Sequence, residues 1–240
     1  MSASIMPQPI PLNPISDFSS LEATVTLQVD GSINGRPARG GLNGLLVVDG
    51  PRSRITISGS LLGEIAAQVG GSLIGLFTPA SVDLFKMPDG PYVSINGFMP
   101  ICVKPQSVKA TAVLDEMSPE SLMAMLTSPD VARGSYAGEG TLNGRSVKHY
   151  IIDGPTFLAA ARASRDPQLR AFGEGLRTAG DNDLYVDSQG GYPVAFRGDY
   201  SGTYAPLKFQ GDFEVQLALT SVGAGQKVSL PPACADPISM

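Results

Sequence analysis

The stretch Gly138-Glu139-Gly140-Thr141-Leu142-Asn143-Gly144-Arg145-Ser146-Val147-Lys148-His149-Tyr150 decides the architecture. Asn143-Gly144 is a strong hairpin signal, because a two-residue turn that matches strand twist needs positive φ at both central positions. The flanking residues 134–142 and 146–152 therefore read as two antiparallel strands. The same pattern repeats on both sides. Leu21, Ala23, Val25, Leu27 and Val29 alternate with Glu22, Thr24, Thr26 and Gln28, the signature of a half-buried strand. Asp30-Gly31-Ser32-Ile33-Asn34-Gly35-Arg36 is rich in turn residues. A second strand is expected near residues 38–48, broken by Gly40, Gly41 and Gly44. After Asp49-Gly50-Pro51, residues 52–60 place Ile55 and Ile57 on one face. Residues 81–87 and 92–96 flank the turn Pro88-Asp89-Gly90-Pro91, while residues 98–113 carry no clear pattern. Three strands close the chain at 183–187, 192–200 and 207–221.

Helical spacing occurs between these blocks. Leu62, Ile65, Ala66, Val69 and Leu73 fit loose helical turns within residues 61–78, interrupted by Gly63, Gly70, Gly71 and Gly75. Ser118-Pro119-Glu120-Ser121 opens a helix with body Leu122, Met123, Met125 and Leu126, and Ser128-Pro129 stops it. Residues 154–164 form a helix with Phe157, Leu158 and Ala161 on one side. Asp166-Pro167 caps another that runs to about Leu176. Helices lie between blocks of antiparallel strands, not after every strand, so the class is α+β.

Composition narrows the function. The 240 residues are 42% hydrophobic and only 16% charged, with 28 Gly and 20 Pro, which favours short strands and turns. A net charge of −5 disfavours nucleic acid as a partner. The single histidine, His149, excludes a multi-histidine metal or catalytic centre. It sits in an alternating strand and reads as a half-buried residue with a structural hydrogen bond. The alternative is a hydrolase triad assembled from distant residues. No Gly-x-Ser-x-Gly elbow, phosphate-cradling glycine loop or Cys-x-x-Cys pair occurs. Asp181, Asp183 and Asp187 read as a solvated cluster, so no metal and no cofactor are expected. The absence of Trp speaks against a carbohydrate platform.

Residues 1–19 form a proline-rich, disordered-looking tether with Pro7, Pro9, Pro11 and Pro14. They carry neither the basic nor the apolar region of a secretory signal. The expectation is an extracytoplasmic chain whose export signal has been removed; the alternative is a cytosolic protein with a loose N-terminus. One domain is expected over residues 20–232, followed by a tail at 233–240. Cys102 and Cys234 fit a single disulfide in an oxidising compartment, contributing on the order of 4–5 kcal/mol by closing a long loop. Two unpaired cysteines packing as small apolar groups are the alternative.

The remaining signal is apolar. The segments at 61–78, 118–126 and 154–172 are rich in Leu, Met and Phe, which suits either a closed core or an adaptable wall around an acyl chain. The order of elements resembles the LolA/LppX-like bacterial lipoprotein and lipoprotein-carrier superfamily. Two stretches carry the resemblance: the hairpin at 138–150, and Asp183-Leu184-Tyr185-Val186-Asp187-Ser188-Gln189-Gly190-Gly191-Tyr192-Pro193-Val194. It covers about residues 20–232. It implies a curved antiparallel half-barrel sheet with helices across its concave face. It also implies a monomer that binds acyl chains of lipids or lipoproteins, in transport or shielding. Leu62, Ile65, Val69, Leu73, Phe77, Met123, Leu126 and Phe157 are the expected cavity lining. The superfamily's anchored members carry a Cys just after the signal. Neither cysteine here lies near the N-terminus, so attachment to a membrane surface would need an anchor removed with the signal. No catalytic residues transfer. A closed-core envelope interaction module without a ligand is the competing expectation.

Overall fold

The computed structural model describes residues 8–13, 18–62, 80–97, 100–105, 128, 131–165, 167–178, 180–205 and 208–239. The strands are β1 (Gln8–Pro9), β2 (Ser20–Ile33), β3 (Arg36–Asp49), β4 (Arg52–Ser58), β5 (Ser81–Met87), β6 (Gly90–Asn96) and β7 (Ile101–Lys104), then β8 (Arg133–Leu142), β9 (Arg145–Ile152), β10 (Leu176–Thr178), β11 (Asn182–Asp187), β12 (Pro193–Tyr204), β13 (Phe209–Val222) and β14 (Ile238–Ser239). Two helices, α1 (Gly154–Ala163) and α2 (Pro167–Gly175), separate β9 from β10. Hydrogen bonding orders the strands β1-β8-β9-β11-β12-β13-β2-β3-β4-β5-β6-β7-β14, with β10 paired to β12. The sheet is mostly antiparallel; β14 joins β7 in parallel. The expected α+β layout is met.

The chain divides into two compact units. The first comprises Met1–Ile15, Leu27–Arg39 and Met123–Ala218. Its hairpin β8–β9 turns at Asn143 and Gly144, with φ of 50° and 78°, and Leu142 faces Arg145 across the turn. β9 then pairs with β11, and β11 with β12. Helix α1 starts where Asp153 accepts the backbone N–H of Thr156 at 2.8 Å, with a proline in the first turn. Phe157, Leu158 and Ala161 point inward, as the helical spacing requires. Gly173 of α2 lies against α1 so closely that a Cβ there would come within 2.5 Å of the Arg162 nitrogen. Within the proline-rich N-terminal tract, Gln8 and Pro9 pair with Gly134 and Arg133.

The second unit comprises Ser16–Thr26, Gly40–Leu122 and Leu219–Met240. β3 to β7 form a meander in it, each strand in antiparallel register with the next. Cys102 on β7 is bonded to Cys234, with Cα atoms 5.0 Å apart. The disulfide lies in a buried cluster with Val47, Phe85, Tyr92 and Val228. Leu230 and Ala233 pack against that cluster, so the C-terminal segment covers one end of the meander. A buried structural disulfide fits an oxidising, extracytoplasmic compartment.

Candidate functional site

In an antiparallel sheet, directly opposed residues share a face, and successive residues alternate between faces. Register therefore assigns every side chain of β3–β7 to one of two sides. On one side, Leu46, Ile55, Leu84, Val93 and Val103 form a row. Gly44, Ile57, Val82, Ile95 and Ile101 form the next. Neither row contains a polar side chain. Beyond the first row the face becomes polar at Ser53 and Lys86.

The opposite side carries Thr56, Asp83, Ser94 and Cys102 in one row, with Ser81 and Asn96 in the row to one side of it and Val47, Arg54, Phe85 and Tyr92 in the row to the other. The polar groups of the first two rows satisfy one another. Thr56 donates to Asp83 at 2.5 Å, and the Asn96 amide donates to Asp83 at 2.7 Å and to Ser81 at 3.1 Å. Ser94 donates to Asn96 at 3.3 Å. At the end nearest the disulfide, the Lys104 ammonium lies 4.7 Å from the Tyr92 ring centroid and donates to the Tyr92 hydroxyl.

The burial of these faces is unusual. Leu46 and Ile55 are buried, but Ile57, Val82, Leu84, Val93, Ile95, Ile101 and Val103 are only half-buried. On the polar side Ser94 is completely buried. A two-row aliphatic face that keeps part of its surface accessible is suited to an apolar guest. Sequence reading paired Ile55 with Ile57 but missed the rest. The signal was present as three short alternations: Val82 with Leu84, Val93 with Ile95, and Ile101 with Val103.

The helix-bearing part of the first unit is closed. Phe157 is 0% exposed. Its ring lies 6.1 Å from Phe196, 6.2 Å from Phe172 and 6.4 Å from Tyr200, centroid to centroid. The Tyr200 hydroxyl donates to Asn182 Oδ1 at 2.8 Å. Burial, with the charge of Asp199 adding to it, pushes the Tyr200 pKa up, so this phenol stays a neutral donor. Asn182 Nδ2 is buried and lacks a hydrogen-bond partner. The aromatic layer continues to Phe172, Tyr204 and Phe213, which are half-buried.

Of the expected cavity residues, Leu62 is buried beside Gly59, whose carbonyl accepts its N–H at 3.2 Å. Phe157 lies in the closed aromatic core. Ile65, Val69, Leu73, Phe77, Met123 and Leu126 lie outside the described residues, as does the helix expected to begin at Ser118. His149 is half-buried; its Nε2 lies 2.7 Å from Asp183 Oδ1, and its ring stacks on Tyr185 at 4.5 Å. That is the structural hydrogen bond expected of it. Asp187 accepts the N–H groups of Gln189 and Gly190, which makes it a turn residue. Among the described residues no group of three metal-ligating side chains occurs, and no helix is long and apolar enough to cross a membrane.

No family model and no curated protein matches the chain. Solved structures do. The chain is similar to LprF from Mycobacterium bovis, with 13% identity, 90% of each chain covered and a TM-score of 0.45. It is similar to MucB, solved in complex with MucA(peri), with 11% identity, 90% of this chain and 55% of that chain covered, and a TM-score of 0.33. It is also similar to a LolA superfamily protein from Nitrosomonas europaea, with 8% identity, 90% of this chain and 89% of that chain covered, and a TM-score of 0.22.

Proposed function

We propose that the protein binds acyl chains of lipids or lipoproteins outside the cytoplasm, by burial and without catalysis. The observation that carries this reading is the half-buried aliphatic face of β4–β7, opposite the face that carries the Asp83 hydrogen-bond network and the buried cluster around the disulfide. The driving force is apolar burial, roughly 0.8 kcal/mol per CH2 group. Eight carbons laid along the two rows would contribute about 6 kcal/mol before ordering costs. The apolar segment 61–78, with Ile65, Val69, Leu73 and Phe77, is proposed to contribute further contacts in the same unit. Met123 and Leu126 are proposed to make a second set of acyl contacts.

Native mass spectrometry followed by lipid extraction tests the proposal. The expected result is a co-purifying acyl species near one per chain. Ile95→Lys, which places an ammonium in the aliphatic row, is expected to lower uptake by more than about tenfold, since an acyl chain laid on that row would bury the charge unpaired at a cost of several kcal/mol. Val69→Arg and Met123→Arg are expected to do the same. A clean apo mass, with no uptake from mixed lipids, would overturn the proposal. Retention of the disulfide, read as a two-proton mass deficit, together with an unchanged circular dichroism spectrum shows that each variant is folded.

A second reading, an envelope interaction module with a filled core, is favoured by one observation: α1 and α2 close fully over Phe157, Phe196 and Tyr200. It expects no lipid uptake by the wild-type chain.

A further inference from the structure

A groove of about 290 Å³ lies on the first unit, lined by Pro11, Leu12 and Asn13 on one side and by Lys148, Tyr150 and Val186 on the other. The turn from Asp187 to Gly191 closes one end. It occupies the helix-bearing face of the sheet. Tyr150, Leu184 and Phe196 are opposed in register there, and Phe196 packs on Phe157. Lys148 and Val186 are the next opposed pair along β9 and β11 on that face.

Both walls are fixed by the protein itself. Ile10 donates its N–H to Ala132 at 2.9 Å. Asn13 donates its backbone N–H to Gly191 at 2.8 Å and its side-chain amide to Gly190 at 2.7 Å. At the closed end, Asp187 Oδ1 holds the turn through the N–H groups of Gln189 at 3.0 Å and Gly190 at 2.5 Å. Gly191 has φ of 68°, and a Cβ on Gly190 would come within 2.3 Å of the Tyr192 ring. A site with walls set in advance loses less freedom on binding.

Lys148 stands half-buried at the rim of the covered face, between Tyr150 and the exposed Ser146 on its side of β9. On its side of β9, Ile152 is fully buried and Tyr150 half-buried, and the next position on that side is a lysine. Its ammonium has no ion pair or hydrogen bond among the described residues. The charges around it are engaged elsewhere. Glu139 stands opposite Lys148 on β8, yet its carboxylate accepts a hydrogen bond from the exposed Tyr136 hydroxyl. Asp187 holds its turn, and Arg145 donates to the Tyr192 hydroxyl at 2.8 Å. The Tyr150 hydroxyl also has no hydrogen-bond partner among the described residues. An unpaired cation and a phenol hydroxyl beside buried Val186 and the apolar Pro11 and Leu12 suit an amphiphile with one anionic end.

We propose that this groove binds a small anion with an apolar body, a carboxylate or a phosphate monoester, its charged end paired with Lys148 and its body lying along Val186 and Leu12. Octanoate carries both features the groove is proposed to recognise, an anionic end and a short apolar body. The site stands on different residues from the aliphatic face of β4–β7 and does not depend on it.

The test is a titration of the isotope-labelled full chain by NMR with octanoate, octyl phosphate and octanol, repeated on Lys148→Gln and Lys148→Arg. The anions are expected to shift the amides of Lys148, Val186 and Gln189, with octanol at least about tenfold weaker. A charge-assisted contact is worth about 1.5–3 kcal/mol, so Lys148→Gln should raise the octanoate Kd by about tenfold or more and leave that of octanol unchanged. Lys148→Arg keeps the charge and should stay within about threefold of wild type. The tighter of the two anions names the headgroup chemistry. Retained spectral dispersion shows that Lys148→Gln is folded. Equal octanoate binding by wild type and Lys148→Gln would overturn the proposal, and so would octanol binding as tightly as octanoate. No binding at millimolar concentration, or shifts confined to β5–β7, would also overturn it; the last outcome leaves the acyl-chain reading standing and removes the groove.

Discussion

Replacing both cysteines, Cys102→Ala with Cys234→Ala, lowers the stability of the protein by about 4–5 kcal/mol in equilibrium urea unfolding. The bond joins residues 132 apart in sequence, and the chain-entropy cost of closing so long a loop approaches 5 kcal/mol. Few other contacts secure the C-terminal segment. Gln226 donates to the Ser20 hydroxyl at 3.2 Å and Val228 to Asp49 at 3.2 Å. β14 adds only the pairs Ile238 with Val103 and Ser239 with Lys104. Without the covalent link, these must hold Val228, Leu230 and Ala233 over Val47, Phe85 and Tyr92. A domain stable by about 5–15 kcal/mol loses a large share of its margin. The urea midpoint should fall, with hydrogen exchange rising first in β6 and β7. A loss under about 1 kcal/mol would mean that apolar burial of the tail suffices, and that the disulfide adds little to the native state.

Much of the strand order was legible because local signals and tertiary pairing agree. Asn143-Gly144 dictates its hairpin whatever surrounds it, and residues 213–219 alternate cleanly. Disagreement arises where a glycine serves a close approach instead of a turn. The turn expected within Asp30–Arg36 falls at Asn34 and Gly35, with φ of 52° and 75°, while β2 runs through Gly31 to Ile33. A Cβ on Gly31 would lie 2.2 Å from the Gln210 carbonyl oxygen, so this glycine permits strand contact with β13. Gly202 does similar work in β12, which continues past the expected end at Tyr200 to Tyr204. A Cβ there would lie 2.4 Å from the Gly175 carbonyl oxygen.

The site was less legible for another reason. β7 is four residues long between Pro100 and Pro105, too short for periodicity to register. Without it, Ile101 and Val103 could not be joined to Val82, Leu84, Val93 and Ile95, and the aliphatic face had no visible edge. Which face of a strand is aliphatic can be read from alternation. Which face stays half-buried depends on what the rest of the chain covers, and no spacing within a strand reports that. The helices drew attention because their Leu, Met and Phe content is conspicuous, whereas the sheet's Val and Ile are ordinary strand residues.

Phe157→Ala is expected to cost about 3–5 kcal/mol, the range for removing a fully buried aromatic ring from a packed core. The expectation follows from its neighbours. Phe172, Phe196 and Tyr200 all lie within 6.4 Å of its ring centroid, and Ile152, Leu169, Leu176 and Leu184 are among the most deeply buried side chains. Helices α1 and α2 hold them from one side and the strands from the other, so little collapse into the vacated volume is available. Phe172, half-buried at the edge of the same layer, should cost less when truncated. The pair separates two roles for Phe157. A core residue gives a large loss of stability, while lipid uptake per folded molecule stays at the wild-type level. A cavity-lining residue gives the reverse: truncation enlarges the space at small cost in stability and alters the acyl species that co-purifies. Urea unfolding and lipid extraction on the same preparation read both quantities. An unfolding cost under about 1.5 kcal/mol with a shift to longer or branched chains would move the acyl contact surface onto the α1 helix. A cost near 4 kcal/mol with unchanged lipid would leave it on the aliphatic rows of β4–β7.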